Sequence, residues 1–160
     1  MLKITTDILT PALVRFYDHL QRHERETIGR VTHEMLLKYS STGRLHTLWH
    51  DRDPLGYIIA NDTSRHPTRT QYPNQMRIYV ACIDYGMQRR LFGTILVDHI
   101  ERIARLRRLD SIGLWCAEDI PARDFWTSIG FTPQRERDGG RKRKRKLIEY
   151  SRRLPTARPV

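Results

Sequence analysis

The chain has 160 residues, 39% of them hydrophobic, and carries 29 Lys and Arg against 18 Asp and Glu, a net charge of +11. That is enough apolar material for one folded domain with a core, and the sequence shows neither an apolar run long enough to cross a membrane nor a signal-peptide pattern. Two cysteines, Cys82 and Cys116, are too few for a disulfide framework and fit a reduced, cytoplasmic setting; the charge favours acidic partners such as nucleic acid, the phosphates of a bound cofactor or an acidic protein surface.

Residues 2–8 read as a strand. Thr10-Pro11 is a helix start, with Thr as the cap and Pro at the first helical position, and Leu13, Phe16, Tyr17 and Leu20 form one face of a helix reaching about His23. Thr32 can cap a second helix carrying Met35, Leu36 and Tyr39, which Ser40-Ser41-Thr42-Gly43 ends. Residues 45–50 and 55–60 read as a hairpin around Asp51-Arg52-Asp53-Pro54. His46 and His50 share a strand face; two histidines without a third ligand carry no metal site.

A polar loop over 61–75 leads to a central strand over 77–83 and then to a helix running to about Leu106, with Phe92, Leu96, Ile100 and Ile103 as its apolar stripe. Another strand spans 111–117, and a short helix 121–129 follows. Asp138-Gly139-Gly140 is a hairpin turn. After it the unbroken run Arg141, Lys142, Arg143, Lys144, Arg145, Lys146 is expected to begin the last strand and to extend it beyond the sheet, with alternate basic side chains on opposite faces. Residues 135–153 hold ten Lys and Arg against three Asp and Glu, or +7 of the total, so this ending is a candidate nucleic-acid contact. Residues 1–154 read as a single domain and 155–160 as a disordered tail.

The most informative stretch is Gln88-Arg89-Arg90-Leu91-Phe92-Gly93-Thr94, a basic, glycine-containing turn between a strand end and a helix start. The first N–H groups of a helix have no partners within it and the helix dipole is positive there, so a phosphate or pyrophosphate is the expected occupant.

That turn resembles the Gln/Arg-x-x-Gly-x-Gly/Ala motif with which the GNAT acetyltransferases grip the pyrophosphate of acetyl-CoA, Gln88 and Gly93 matching and Leu91 standing at the first glycine. A second block, residues 122–131, resembles the family's Ala-x-x-Phe-Tyr-x-x-x-Gly-Phe ending through Ala122, Phe125, Gly130 and Phe131. Gly56-Tyr57 matches a common start of the family's third strand. The resemblance implies an α/β GNAT fold: a mixed, mostly antiparallel sheet of six to seven strands with about four helices, splayed between strands four and five. It also implies an acetyl-CoA-dependent N-acetyltransferase whose fourth strand, at Ala81, Cys82 and Ile83, holds the pantetheine through its backbone. Leu91 is a departure whose side chain could crowd that cofactor. Two more are Asp119, where asparagine is common on the cofactor, and Trp126, where tyrosine often serves as general acid. Trp126 is expected to pack in the core.

Acetyl transfer needs a positioned thioester, a base for the amine and an acid for the leaving thiolate. Glu118 and Asp119 are base candidates, Asp119 being the better suited of the two to cap the following helix instead. Tyr85 and Cys116 are the candidates for the acid. The acceptor amine, on a small molecule or a protein, is open, as is a homodimer. Two other readings stand beside this one: a nucleic-acid-directed enzyme of the same fold, modifying DNA bases or acetylating tRNA, and a GNAT-like binding module without catalysis.

Overall fold

In the computed structural model, residues 1–6, 9–28, 31–64, 72–88, 91–139 and 145–155 are described, without the side chains of 23–28 and 85. Among the described residues, seven strands and four α-helices follow in the order β1 (Leu2–Thr5), α1 (Pro11–Ile28), α2 (His33–Ser41), β2 (Leu45–His50), β3 (Asp53–Asp62), β4 (Gln75–Ile83), α3 (Phe92–Leu106), β5 (Ser111–Ala117), α4 (Ala122–Ser128), β6 (Thr132–Asp138) and β7 (Lys146–Arg153). The sheet order is β1-β2-β3-β4-β5-β7-β6. β4 and β5 are parallel, whereas β1–β2, β2–β3, β5–β7 and β7–β6 are antiparallel. The β4–β5 register runs from Gln75↔Ser111 to Ile78↔Leu114, only the first part of β4. This is the mixed α/β architecture that the resemblance implies.

Local signals set the helix starts. Thr10 Oγ1 accepts the Leu13 N–H at 3.2 Å, and its carbonyl takes the Val14 N–H at 3.0 Å. Thr32 does the same for α2, its hydroxyl accepting the Met35 N–H at 3.2 Å. Both satisfy donors that a helix start leaves open. α1 runs to Ile28, past the His23 end that its apolar face suggests. Periodicity loses its signal where a helix turns wholly polar, while the Arg and Glu residues there remain good helix formers. β3 likewise continues to Asp62 and β4 begins at Gln75, because Thr63 closes the base of the intervening loop: its N–H and hydroxyl both donate to the Gln75 carbonyl, and Gln75 N–H donates back to the hydroxyl.

The chain falls into two compact units. The first comprises Met1–Ala60 with Tyr79–His99, the second Asn61–Ile78 with Ile100–Val160. The first is built on the apolar stripe of α1: Leu13, Tyr17 and Leu20 are buried with Leu36, Leu45, Tyr57, Ile59, Val80 and Cys82. Removing each large side chain of this kind from water contributes about 1.5–3 kcal/mol, so this face holds the helices to the sheet. In the second unit Ile112, Leu114 and Cys116 alternate along β5 and are buried, as are Tyr150, Trp126 and Phe131. Trp126 packs edge-on between Phe125 and Phe131, with ring centroids 4.9 and 5.3 Å away. Arg152 lies over the Phe131 ring and donates to Glu101 of α3 at 3.0 Å.

β7 begins at Lys146, the last residue of the basic run. The Gly139 N–H donates to the Arg145 carbonyl at 2.7 Å, and Asp138 pairs with Lys146 across the strands. The expectation that the run begins the last strand falls mostly on its earlier residues. Arg141, Lys142, Arg143 and Lys144 lie outside the described residues.

Candidate active site

The turn between β4 and α3 lies wholly in the first unit. β4 ends at Ile83, a 3-10 turn follows at Tyr85–Met87, and α3 starts at Phe92. The end of β4 is pinned from β3: Asp84 N–H donates to the Leu55 carbonyl at 2.8 Å, and Gly56 passes so close that a Cβ there would sit 2.4 Å from the Cys82 carbonyl oxygen and 3.0 Å from Ile83 Cα. Gly56 is therefore the residue that lets the backbone of Cys82 and Ile83 take its place. Gln88 turns back on the same strand end, its Nε2 donating to the Ile83 carbonyl at 3.2 Å.

Leu91 is the key to the turn. Its φ is +67°, in the left-handed region that glycine enters freely and leucine does not. Its carbonyl accepts the Ile95 N–H at 3.0 Å, so Leu91 is the residue from which α3 springs. The chain keeps the backbone conformation of a glycine at the place where the family motif has one, at a cost of about 1–2 kcal/mol for the left-handed residue. The side chain is 74% exposed. Strain of this kind persists only where the surroundings impose it. The amides of Phe92, Gly93 and Thr94 fall in the first turn of α3, where a helix leaves its donors without intrahelical partners. Arg89 and Arg90 lie outside the described residues.

Of the backbone strand residues, Cys82 is buried, and Ala81 and Ile83 are half-buried. Beside Cys82 stands a group that the sequence marked only as part of the Gly56-Tyr57 match, with no role in the site. Tyr57, on β3, is fully buried against Tyr17, with ring centroids 4.7 Å apart, and its hydroxyl has no hydrogen-bond partner among the described residues. Burial, then the nearby Cys82 and Tyr17, push its pKa above the usual phenol range. Tyr17 differs, since its hydroxyl pairs with Thr47 Oγ1 at 2.5 Å. The Gly56-Tyr57 match pointed to the residue, but a motif match cannot tell a satisfied tyrosine from an unsatisfied one.

The candidates for proton transfer lie mostly in the second unit. Cys116 is buried, and burial pushes its thiol up to about 11, against the lowering influence of Arg123 and Arg145. It is therefore a protonated, unreactive thiol at neutral pH. Glu118 follows β5 in a turn fixed by its N–H on the Lys146 carbonyl and by Arg123 Nη1 on its own carbonyl at 2.8 Å. Asp119 does not cap α4: that position is Pro121, without a side-chain cap. Both Asp119 carboxylate oxygens instead accept Arg145 Nε, at 2.9 and 3.0 Å, which holds its pKa below the usual carboxylate range. A guanidinium brought 26 residues along the chain outcompetes a local cap because it offers a full charge. Tyr85 belongs to the 3-10 turn, and its side chain is outside the described residues.

His46 and His50 part company. His46 is buried and its Nδ1 meets His99 Nε2 at 3.1 Å, whereas His50 lies 3.8 Å from Asp51 at the surface.

The acetyltransferase (GNAT) family profile matches residues 7–131. A comparison with curated protein sequences finds no match. Among solved structures, the chain is similar to Ard1 from Thermoplasma volcanium, with a TM-score of 0.78 at 15% identity over 96% of this chain and 98% of that one. The ribosomal-protein-S18-alanine N-acetyltransferase of Escherichia coli gives 0.70 at 15% identity over 98% and 96%. N-acetylglutamate synthase of Neisseria gonorrhoeae, complexed with coenzyme A and N-acetyl-glutamate, gives 0.74 at 16% identity over 97% of this chain and 35% of that one.

Proposed function

The chain belongs to the GNAT family of acetyltransferases, and we propose that it transfers an acetyl group from acetyl-CoA to the amine of a small molecule or a protein, in the reducing setting of the cytoplasm. The observation that carries this reading is Leu91. A leucine held at φ +67° at the head of α3, where the motif has a glycine, supports an anion site at this turn.

In this reading the amides at the start of α3, with Gln88, Arg89 and Arg90, hold the pyrophosphate, and the backbone of Ala81, Cys82 and Ile83 holds the pantetheine. The amine nitrogen attacks the thioester carbonyl carbon, the C–S bond breaks, and the electron pair leaves on sulfur. One proton comes off the nitrogen and one goes to the thiolate. Glu118 is the base, directly or through water. For the acid, Cys116 has a proton to give, but a thiol near 11 is a weaker acid than an ordinary thiol, so that transfer runs uphill. Tyr85, in the turn directly after β4, is the other candidate for that proton. Asp119, whose carboxylate Arg145 holds, is assigned to cofactor binding rather than to the base.

The test is in two parts. Calorimetry at low salt should show CoA binding that weakens as salt rises, and thiol release should follow when acetyl-CoA is offered with an amine panel spanning polyamines, amino acids and peptide N-termini. Glu118→Gln should lower kcat while leaving CoA affinity in place, by about a hundredfold for the loss of a general base. Absence of CoA binding at low salt overturns the reading at its root.

A further inference from the structure

One face of the second unit carries side chains that acetyl transfer does not use. On β5 and β7, Ile112, Leu114, Cys116 and Tyr150 are buried on one side, the side on which Arg152 meets Glu101 of α3. The opposite side presents Trp115 opposite Glu149, and Gly113 opposite Arg77 of β4. Gly113 makes room there: a Cβ would sit 2.5 Å from Arg77 Nη1 and 2.7 Å from Gln75 Oε1. The Arg77 guanidinium thus lies over Gly113, and its Cζ is 3.9 Å from the centroid of the Tyr72 ring. Arg135 follows, donating to the Tyr72 hydroxyl at 2.7 Å and to Glu149 Oε2 at 3.3 Å. Trp115 comes next, its indole N–H donating to the Tyr72 hydroxyl at 3.2 Å, and Arg137 lies over its ring at 4.2 Å. The result is a ladder in which guanidinium and aromatic planes alternate: Arg77, Tyr72, Arg135, Trp115, Arg137.

Its outer rungs are open. Every residue of β6 is exposed, and β6 is the edge of the sheet. Glu149 is the acid of the ladder, and it is already shared by Tyr72 and Arg135. Arg137 makes no ion pair among the described residues. A second copy of the chain would bring like charge to like charge, at +11 each.

The geometry points to a single-stranded nucleic acid as the partner of this face. Arg135 and Arg137 stand two residues apart on a strand, about 6.7 Å, a spacing that successive phosphates of an extended strand can meet. Guanidinium planes held by aromatic rings are also the surfaces on which unpaired bases stack, which a duplex does not offer. The ladder uses none of residues 141–146 and none of the residues assigned to CoA, so its test needs no turnover.

The probe is a labelled RNA of about ten nucleotides, followed by fluorescence anisotropy across a salt series. Arg137→Gln should weaken binding about threefold to tenfold and reduce the salt slope by about one. Arg137→Lys should keep the slope and lose part of the affinity, because the charge remains and the planar stack does not. Arg52→Gln removes the same charge from the β2–β3 turn and should change neither. In NMR, the indole N–H signal of Trp115 should move on RNA addition, while those of Trp49 and Trp126 stay. Four results overturn the inference: no binding at low salt, equal losses in Arg137→Gln and Arg52→Gln, equal affinity for a duplex of the same length, or displacement of RNA by polyglutamate at equal charge.

Discussion

The turn at the head of α3 and the turn at the foot of α4 both need a left-handed residue, and the chain fills them differently. Gly130, after α4, has φ +93° and is a glycine; Leu91, before α3, has φ +67° and is not. Around Gly130 there is space for a Cβ, with Arg152 Cδ at 3.5 Å as the nearest atom, so conformation alone selects glycine there. Leu91 has the same conformational reason for glycine and lacks it. A strained residue at the mouth of a candidate anion site, against a relaxed one at a turn that only reverses the chain, is the difference expected between a segment kept for function and one kept for folding. The two regions also differ in material. The first unit offers backbone: amides at the start of α3 and the β4 strand end pinned by Gly56. The second offers side chains: a buried thiol, an arginine on Asp119 and the stacked ladder.

The largest effect expected from testing that contrast is at Gly56. Gly56→Ala puts a methyl 2.4 Å from the Cys82 carbonyl oxygen, and the backbone of β4 has to move. A loss of about 2–3 kcal/mol in urea unfolding is expected, with CoA affinity falling alongside. Unchanged affinity in the folded variant would show that the β4 backbone does not hold the ligand.

The paired exchange comes next. Gly130→Ala should cost about 1–2 kcal/mol, because alanine must take the left-handed region. Leu91→Gly should move the other way, by up to about 1 kcal/mol, with part of the relief offset by the greater freedom of glycine in the unfolded chain. Its CoA affinity should hold or rise. A Leu91→Gly variant that is markedly less stable would end the case for strain at that turn.

The smallest effect is a rate. With its thiol pushed up to about 11, Cys116 should react with iodoacetamide at pH 8 about a hundredfold more slowly than an ordinary thiol. The same shift makes stability depend on pH in a defined window. The unfolded thiol ionises near 9.0 and the folded one near 11, so this contribution is intact below 9 and is lost as pH rises through 11. Cys116→Ala should flatten the alkaline part of the stability curve; Tyr150, raised by burial in the same direction, leaves a residue of slope.

Much of this molecule is local, and was legible for that reason. Thr10 and Thr32 cap the helices their positions announce, and the apolar alternations over residues 45–50 and 111–117 are strands with those bounds. The anion turn was legible as a strand end, a glycine and a helix start. What the sequence could not carry is who meets whom across long separations. Asp119 reads as a cap and is claimed by Arg145; His46 reads as a partner of His50 and is met by His99; Glu149 is an acid in a strand until Tyr72, 77 residues away, and Arg135 enclose it. Leu91 is the sharpest case. The sequence shows only that a glycine is missing; the left-handed backbone is imposed on leucine by the strand and helix on either side, because the surrounding structure, not the residue's own preference, sets its φ.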